Sequence, residues 1–130
     1  MPHSISRVGD LITIRYSGDV DARDLEQANE TLAEMTAGGE SHRVLFDLTK
    51  IAGWQLNAEE LRGLARLWEE LFKEAKCERA AAVASKDLMY GDLRMVSSLL
   101  ERLQVPRGVF RDESTARRWL DGEDVTTEGP

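Results

Sequence analysis

The two histidines and the single cysteine are the residues of this 130-residue chain best suited to hold a metal or act as a nucleophile. Neither His3 nor His42 has a His, Cys, Asp or Glu at metal-ligand spacing. Cys77 has no nearby histidine to hold it as a thiolate, and alone it can form no intrachain disulfide. We therefore expect both histidines to be solvated surface residues, and we expect neither a metal site nor a catalytic thiol.

Motifs for a nucleophilic serine or a phosphate-binding loop are also absent from the sequence. No G-x-S-x-G pattern is present, and the glycines match neither a Walker motif nor a dinucleotide fingerprint. The prediction is a protein that is not an enzyme and holds no cofactor. One alternative stays open, because an active site assembled from scattered residues escapes motif reading. A strongly shifted carboxyl pKa at Asp19, Asp47 or Asp112 would favour an enzyme.

The charge balance argues against nucleic acid as a partner. Seventeen Lys and Arg against 24 Asp and Glu give a net charge of −7, whereas nucleic-acid binders are usually basic. Six arginines between residues 94 and 118 could form a modest basic face, which leaves peripheral contact with an anionic membrane open. No signal peptide and no apolar run long enough to span a bilayer is visible. We therefore expect a cytoplasmic protein.

The elements that must position any site alternate along the chain in the order β-β-α-β-α-β-α-β-α. Asp21 and Asn57 stand where helix caps are expected, and the latter has Glu60 three residues on. This order predicts a single α/β domain over residues 1–121, with a mostly parallel sheet and an antiparallel first strand. Residues 122–130 read as a flexible acidic tail. The predicted strands are Ser4–Val8, Leu11–Ser17, Arg43–Leu48, Arg79–Ala84 and Gly108–Arg111.

Two predicted loops at the carboxyl ends of these strands carry bulky apolar residues. Ligands of open α/β sheets bind at that end, so the candidate site is Trp54 and Leu56 in one loop with Leu88, Met89 and Tyr90 in the other. The first hypothesis is a pocket for an apolar small molecule or a lipid. The alternatives are a surface that docks a partner protein, a homodimer contact, and ordinary packing over the end of the sheet.

Three segments of the chain resemble the SpoIIAA-like branch of the STAS domains, the superfamily of anti-sigma-factor antagonists. Residues 43–51 are similar to the strand and D-L-S/T-x-V/I turn of STAS domains, and Ala80–Ala84 fits the branch's fourth strand. Residues 109–120 resemble the branch's v-F-x-d-x-x-x-A-x-x-W-L ending. The resemblance spans roughly residues 4 to 121. It implies a regulatory or ligand-binding module without catalysis, and a similarity in fold to CRAL-TRIO domains suggests an apolar ligand or membrane association.

The turn before the second helix departs from this family pattern. Sporulation-type antagonists carry a phosphorylatable Ser or Thr there, in an I-D-S-S-G turn that corresponds here to residues 54–58. Leu56 occupies the acceptor position, so the resemblance implies a module without that phosphorylation switch. An apolar turn in this place favours contact with a ligand or a membrane over a phosphorylation switch.

Overall fold

The computed structural model describes residues 3–73, 76–100 and 102–125, and its elements follow the predicted order. The strands are β1 (His3–Val8), β2 (Leu11–Val20), β3 (His42–Trp54), β4 (Cys77–Val83) and β5 (Arg107–Phe110). The helices are α1 (Ala22–Thr36), α2 (Ala58–Lys73), α3 (Asp87–Ser98) and α4 (Glu113–Leu120).

The strands form one sheet in the spatial order β1-β2-β3-β4-β5. β1 pairs with β2 antiparallel, and the remaining neighbours pair in parallel. The hairpin between β1 and β2 turns at Gly9, whose φ of 61° lies in the left-handed region that favours glycine. The predicted fold class, a mostly parallel sheet with an antiparallel first strand, is confirmed.

The two faces of the sheet carry unequal helical layers. On one face α1, α2 and α3 pack on alternate strand residues such as Ile14, Val44 and Phe46. On the other face α4 covers a smaller core, in which Leu45 and Phe110 pack with Leu120. Because successive strand residues point to opposite faces, the nearly continuous apolar run of β3 supplies both cores.

The helices begin at the caps that the sequence predicts. At α1, the Asp21 side chain accepts from the Asp24 backbone N–H and the Asp24 side chain accepts from Asp21, both at 3.0 Å. At α2, Asn57 and Glu60 exchange the same pair of bonds at 2.8 and 3.1 Å. Each box satisfies backbone donors that the first turn would otherwise leave unpaired.

Two segments that the sequence predicts as loops are regular structure instead. β2 continues to Val20 and β3 to Trp54, so segments 18–21 and 49–56 are mostly strand. Irregular pairing between the two strands and the positive φ of Gly18 let them continue through residues typical of turns. Residues 85–91, for which the sequence predicts a loop or a ragged helix start, are mostly the first turns of α3, which begins at Asp87 and ends at Ser98.

The expectation of solvated histidines is wrong for His42 and only partly right for His3. His42 is the first residue of β3, pairs with Cys77 of β4 and is 1% exposed, with its Nδ1 3.0 Å from the Glu40 carbonyl oxygen. The prediction failed because β3 begins one residue earlier than the apolar run. His3 is half-buried beside the ring of Tyr16.

The described chain extends into the segment predicted as a tail. After α4, Gly122 and Glu123 donate backbone hydrogen bonds to the carbonyls of Trp119 and Arg118. Val125 then packs against the core beneath α4. Residues 126–130 lie outside the described residues, so the flexibility of the tail stays a prediction for them.

Candidate functional site

The carboxyl end of β3 meets the first turns of α3, as the site prediction requires. The indole Nε1 of Trp54 donates to Oδ2 of Asp92 at 2.8 Å. The Lys86 ammonium donates to the Ile51 carbonyl oxygen at 3.0 Å. These two bonds join the last residues of the strand to the helix and fix the geometry between them.

Three of the five predicted site residues lie together at this junction. Trp54, Leu88 and Met89 line a cleft of about 160 Å³, with Ala52 and Lys86 completing its wall. The side chains of Trp54 and Met89 are largely buried, so most of their surface packs into the protein. The cleft is well below the 300–1,000 Å³ typical of small-molecule sites.

The other two predicted residues lie away from this cleft. Leu56 is half-buried and packs against the main core, immediately before the cap of α2. Tyr90 is buried on the opposite side of α3, where the Arg111 guanidinium carbon lies 4.0 Å from its ring centroid. This stacking is a cation–π contact and joins α3 to the end of β5.

An exposed apolar stripe on α3 continues from Leu88. Leu88 is 70% exposed, Met95 37% and Leu99 45%, and we call these three residues the α3 ridge. Leu99 is the cap residue that directly follows α3, and spacings of seven and four residues place the three side chains on one side of the helix, over about 16 Å. Sequence reasoning missed Met95 and Leu99. The sequence could have indicated their exposure, because both fall outside the helical repeat of Met89, Leu93, Val96 and Leu100, which faces the core.

A small apolar cavity lies between α2, α3 and the last two strands. Its walls include Phe46, Trp68, Phe72, Leu93 and Leu100, and its volume is about 40 Å³. This volume is small beside the 300–1,000 Å³ typical of small-molecule sites. An acyl chain enters it only if the surrounding side chains move.

Charged residues cluster on the opposite face of the sheet. The Arg15 guanidinium contacts Oδ2 of the buried Asp47 at 2.5 Å and Oε1 of Glu113 at 2.6 Å. Asp47 also accepts from the backbone N–H and the hydroxyl of Thr49 at 3.0 and 2.7 Å. This network joins β2, β3 and α4, which gives the buried carboxylate a structural role.

The carboxyl pKa shifts in this region run downward. Hydrogen bonds from Arg15 and Arg117 lower the pKa of Glu113 to about 2. Asp112 is the N-cap of α4, and hydrogen bonds from the backbone N–H and the side chain of Thr115 lower the pKa of its carboxyl. Carboxyls that stay ionised at neutral pH are poor general acids, so neither shift favours the enzyme alternative.

Cys77 has the properties of a packing residue. Its side chain is buried at the start of β4, and burial raises the pKa of the thiol to about 12. Within residues 3–73, 76–100 and 102–125, no three His, Cys, Asp or Glu side chains are grouped to hold a metal. Over the same residues no helix has the length and apolarity needed to cross a bilayer.

The fold is that of the STAS domains. Solved structures with this architecture include an uncharacterised protein with a SpoIIAA-like fold from Shewanella loihica PV-4, at 20% identity and a TM-score of 0.59 over 91% of both chains. An anti-sigma factor antagonist from Mycobacterium paratuberculosis matches at 18% identity and a TM-score of 0.62 over 92% of both chains. The unphosphorylated form of the anti-sigma factor antagonist SpoIIAA matches at 14% identity and 0.59, over 95% of this chain and 99% of that one.

Within that fold, the chain belongs to the SpoIIAA-like family, whose model matches residues 11–121. A search of curated proteins finds no match. The turn before α2 contains Gln55, Leu56 and Asn57, and Asn57 uses its side chain to cap the helix. Leu56, which the resemblance places at the family's phosphate-acceptor position, lies directly before this cap and packs against the core.

Proposed function

We propose that this protein is a non-catalytic protein-interaction module that docks a partner through the α3 ridge, in the cytoplasm. The observation that carries the proposal is the ridge itself, because Leu88, Met95 and Leu99 expose apolar surface on one side of a helix. Such a stripe is the usual anchor pattern of a helix that packs against another protein. The anti-sigma-factor-antagonist fold supports a partner protein as its occupant.

A pocket for an apolar molecule or a lipid has weaker support. The cleft at Trp54 measures about 160 Å³ and the internal cavity about 40 Å³. Trp54 and Met89, which would hold the ligand, use most of their surface in packing. The apolar residues that are exposed form a ridge, which can pack against a partner protein but cannot enclose an acyl chain.

Contact with an anionic membrane is also less favoured. Three of the six arginines in the predicted basic face pair with nearby acids: Arg111 with Asp87 at 2.7 Å, Arg117 with Glu113 at 2.8 Å and Arg118 with Glu123 at 3.4 Å. Pairing within the protein reduces the positive potential that would attract a headgroup. The proposed module also lacks the phosphorylation switch, because Leu56 offers no hydroxyl.

Site-specific photocrosslinking in cells tests this proposal. A benzophenone amino acid replaces Leu88 in one variant and Val8 in another. Val8 is the matched control, because it is apolar and 79% exposed but lies in β1, away from α3. We expect one defined protein to crosslink at position 88 and not at position 8.

The purified crosslinked protein must then bind the unlabelled chain. A variant with both Leu88→Lys and Met95→Lys should lose at least about tenfold in affinity, because the ridge no longer offers apolar contact. Val8→Lys should bind as the unsubstituted chain does. Equal crosslinking at both positions, or unchanged binding by the double variant, contradicts the proposal. A crosslink between two copies of this chain would replace a partner protein with a homodimer.

A further inference from the structure

A second surface with a distinct chemistry lies between α1 and α2. The two helices leave a groove of about 490 Å³, which we call the α1–α2 groove. Leu25 and Leu64 are buried in its floor, and Leu67 is 38% exposed along it. The lining extends along α2 from Glu59 to Glu70, a distance of about 16 Å at 1.5 Å per residue. That length matches three turns of a docked helix.

Small residues on both helices leave part of the groove free of bulky side chains. Ala22 lines it on α1 and Gly63 on α2. A Cβ added at Gly63 would meet only the far end of the Arg66 side chain, at 3.8 Å. The space above Gly63 is therefore open and wide enough to admit side chains from a bound segment.

The rim of the groove is strongly acidic. Glu26, Glu59, Glu60 and Glu70 line it, whereas Arg66 is the single basic residue of the lining. Among the described residues, no basic side chain lies within ion-pair distance of Glu26, Glu59 or Glu70. An apolar floor between unpaired carboxylates is complementary to a segment with one apolar side and basic flanks.

We propose that the α1–α2 groove binds a basic amphipathic helix of a partner protein. Its apolar side chains would pack on Leu25, Leu64 and Leu67, and its Lys or Arg side chains would face the glutamates. A second copy of this chain is a poor occupant, because two molecules of net charge −7 repel each other. This surface lies on α1 and α2, so the inference goes beyond the proposed function and does not depend on the α3 ridge.

A designed peptide tests the proposal directly. The probe is a fluorescein-labelled amphipathic helix of about 18 residues made only of Leu and Lys, long enough to be helical when bound. Its matched controls are the same pattern with Glu in place of Lys, and a scrambled Leu/Lys sequence. Fluorescence anisotropy with the full chain should show saturable binding of the Leu/Lys helix alone. Its affinity should fall as NaCl rises from about 50 to about 300 mM, because added salt screens the charges.

Substitutions in the groove then locate the bound peptide. Gly63→Leu fills the open space and replaces glycine with a better helix former, so it should weaken binding at least about tenfold without unfolding the protein. Leu67→Ser should weaken it about fivefold through lost apolar contact. Glu26→Gln combined with Glu70→Gln should weaken it about threefold or more. The controls are Glu69→Gln, an exposed residue of α2 outside the groove, and Leu99→Ser on the α3 ridge.

Several results would overturn this assignment. They are no saturable binding at about 1 mM chain, equal binding of the Leu/Glu peptide, and unchanged affinity with Gly63→Leu. Loss of binding in the Leu88→Lys, Met95→Lys variant, with Gly63→Leu unaffected, would move the peptide to the α3 ridge. A dimer abolished by Leu67→Ser would make a second copy the occupant. Failure of the crosslinking at position 88 leaves this peptide experiment unchanged, so the two proposals fail separately.

Discussion

The indole of Trp54 and the carboxylate of Asp92 form a 2.8 Å hydrogen bond that ties the end of β3 to α3. Trp54 is one of the predicted site residues, whereas Asp92 is not. The bond orients the first turns of α3, whose outward residues begin the α3 ridge. Asp92 thus satisfies the indole N–H of Trp54, so this donor needs no hydrogen-bond acceptor from a ligand.

Breaking the bond between Trp54 and Asp92 should destabilise the protein measurably. Asp92→Ala leaves the partly buried indole N–H without its acceptor, and the expected loss in the free energy of unfolding is about 1–2 kcal/mol. Denaturant titrations of both single variants, Asp92→Ala and Trp54→Phe, and of the double variant give the coupling energy. Glu69→Ala, an exposed helix position, should change stability by less than about 0.5 kcal/mol. Strictly additive losses would show that the bond contributes nothing.

The fold followed from the sequence because its strongest signals were local. The cap at Asp21 and the capping pair Asn57–Glu60 form as predicted. The alternation of strands and helices leaves few topologies, and the right-handed crossover rule reduces them further. Strand ends were harder to predict, because β2 and β3 are extended by pairing with each other, a tertiary effect that no local window contains. Gly53 illustrates this, since its missing side chain makes room for Asp19 of the neighbouring strand.

Removing the hydroxyl of Tyr16 should stabilise the protein or leave it unchanged. Tyr16 is fully buried, and its hydroxyl oxygen has no hydrogen-bond partner among the described residues. Burial raises the pKa of this phenol, because an ionised oxygen would lose its hydration. Tyr16→Phe removes an unpaired polar group and should raise the free energy of unfolding by about 0–1 kcal/mol. A loss greater than about 1 kcal/mol in thermal or denaturant unfolding would mean that the hydroxyl has a partner.

The ion pairs of Glu113 should make the free energy of unfolding depend on pH in the acid range. The folded-state pKa of about 2 lies below the ordinary value of 4.5, so the stabilisation is complete above pH 4.5. It is lost progressively as the pH falls from 4.5 towards 2. After an allowance for solvent screening of this partly exposed group, it amounts to about 1 kcal/mol. Glu113→Gln should therefore be less stable at pH 7 and should flatten the acid limb of the unfolding curve. An identical acid limb in the variant would contradict the ion-pair assignment.

Cys77 should be unreactive in the folded protein. Burial raises the pKa of its thiol from 9.0 to about 12, so the thiolate population falls about a thousandfold. At pH 8, Ellman's reagent should label the native protein only at the rate of unfolding, and it should label the protein in guanidinium at once. Rapid labelling of the native chain would show that the thiol is accessible and ionised.

The candidate site stays a prediction, and the structure brings only some of its predicted residues together. Trp54, Leu88 and Met89 lie together, because the carboxyl ends of parallel strands meet at one edge of the sheet. Apolar residue type alone could not separate Leu88, which is exposed, from Met89, which faces the core. Which of these two neighbours is exposed depends on where α3 begins, at Asp87. The α1–α2 groove gave no sequence signal, because Glu26 and Glu70 lie on different helices.

Native mass spectrometry of the chain, purified gently from its own cells, tests the central claim most directly. We predict the bare 14.6 kDa chain together with a complex containing a second protein, and no apolar adduct. The complex should be absent when the chain carries Leu88→Lys and Met95→Lys, and it should persist with Val8→Lys. A lipid-sized adduct that the chain retains, and that Trp54→Ala removes, would contradict the account and establish a ligand pocket instead.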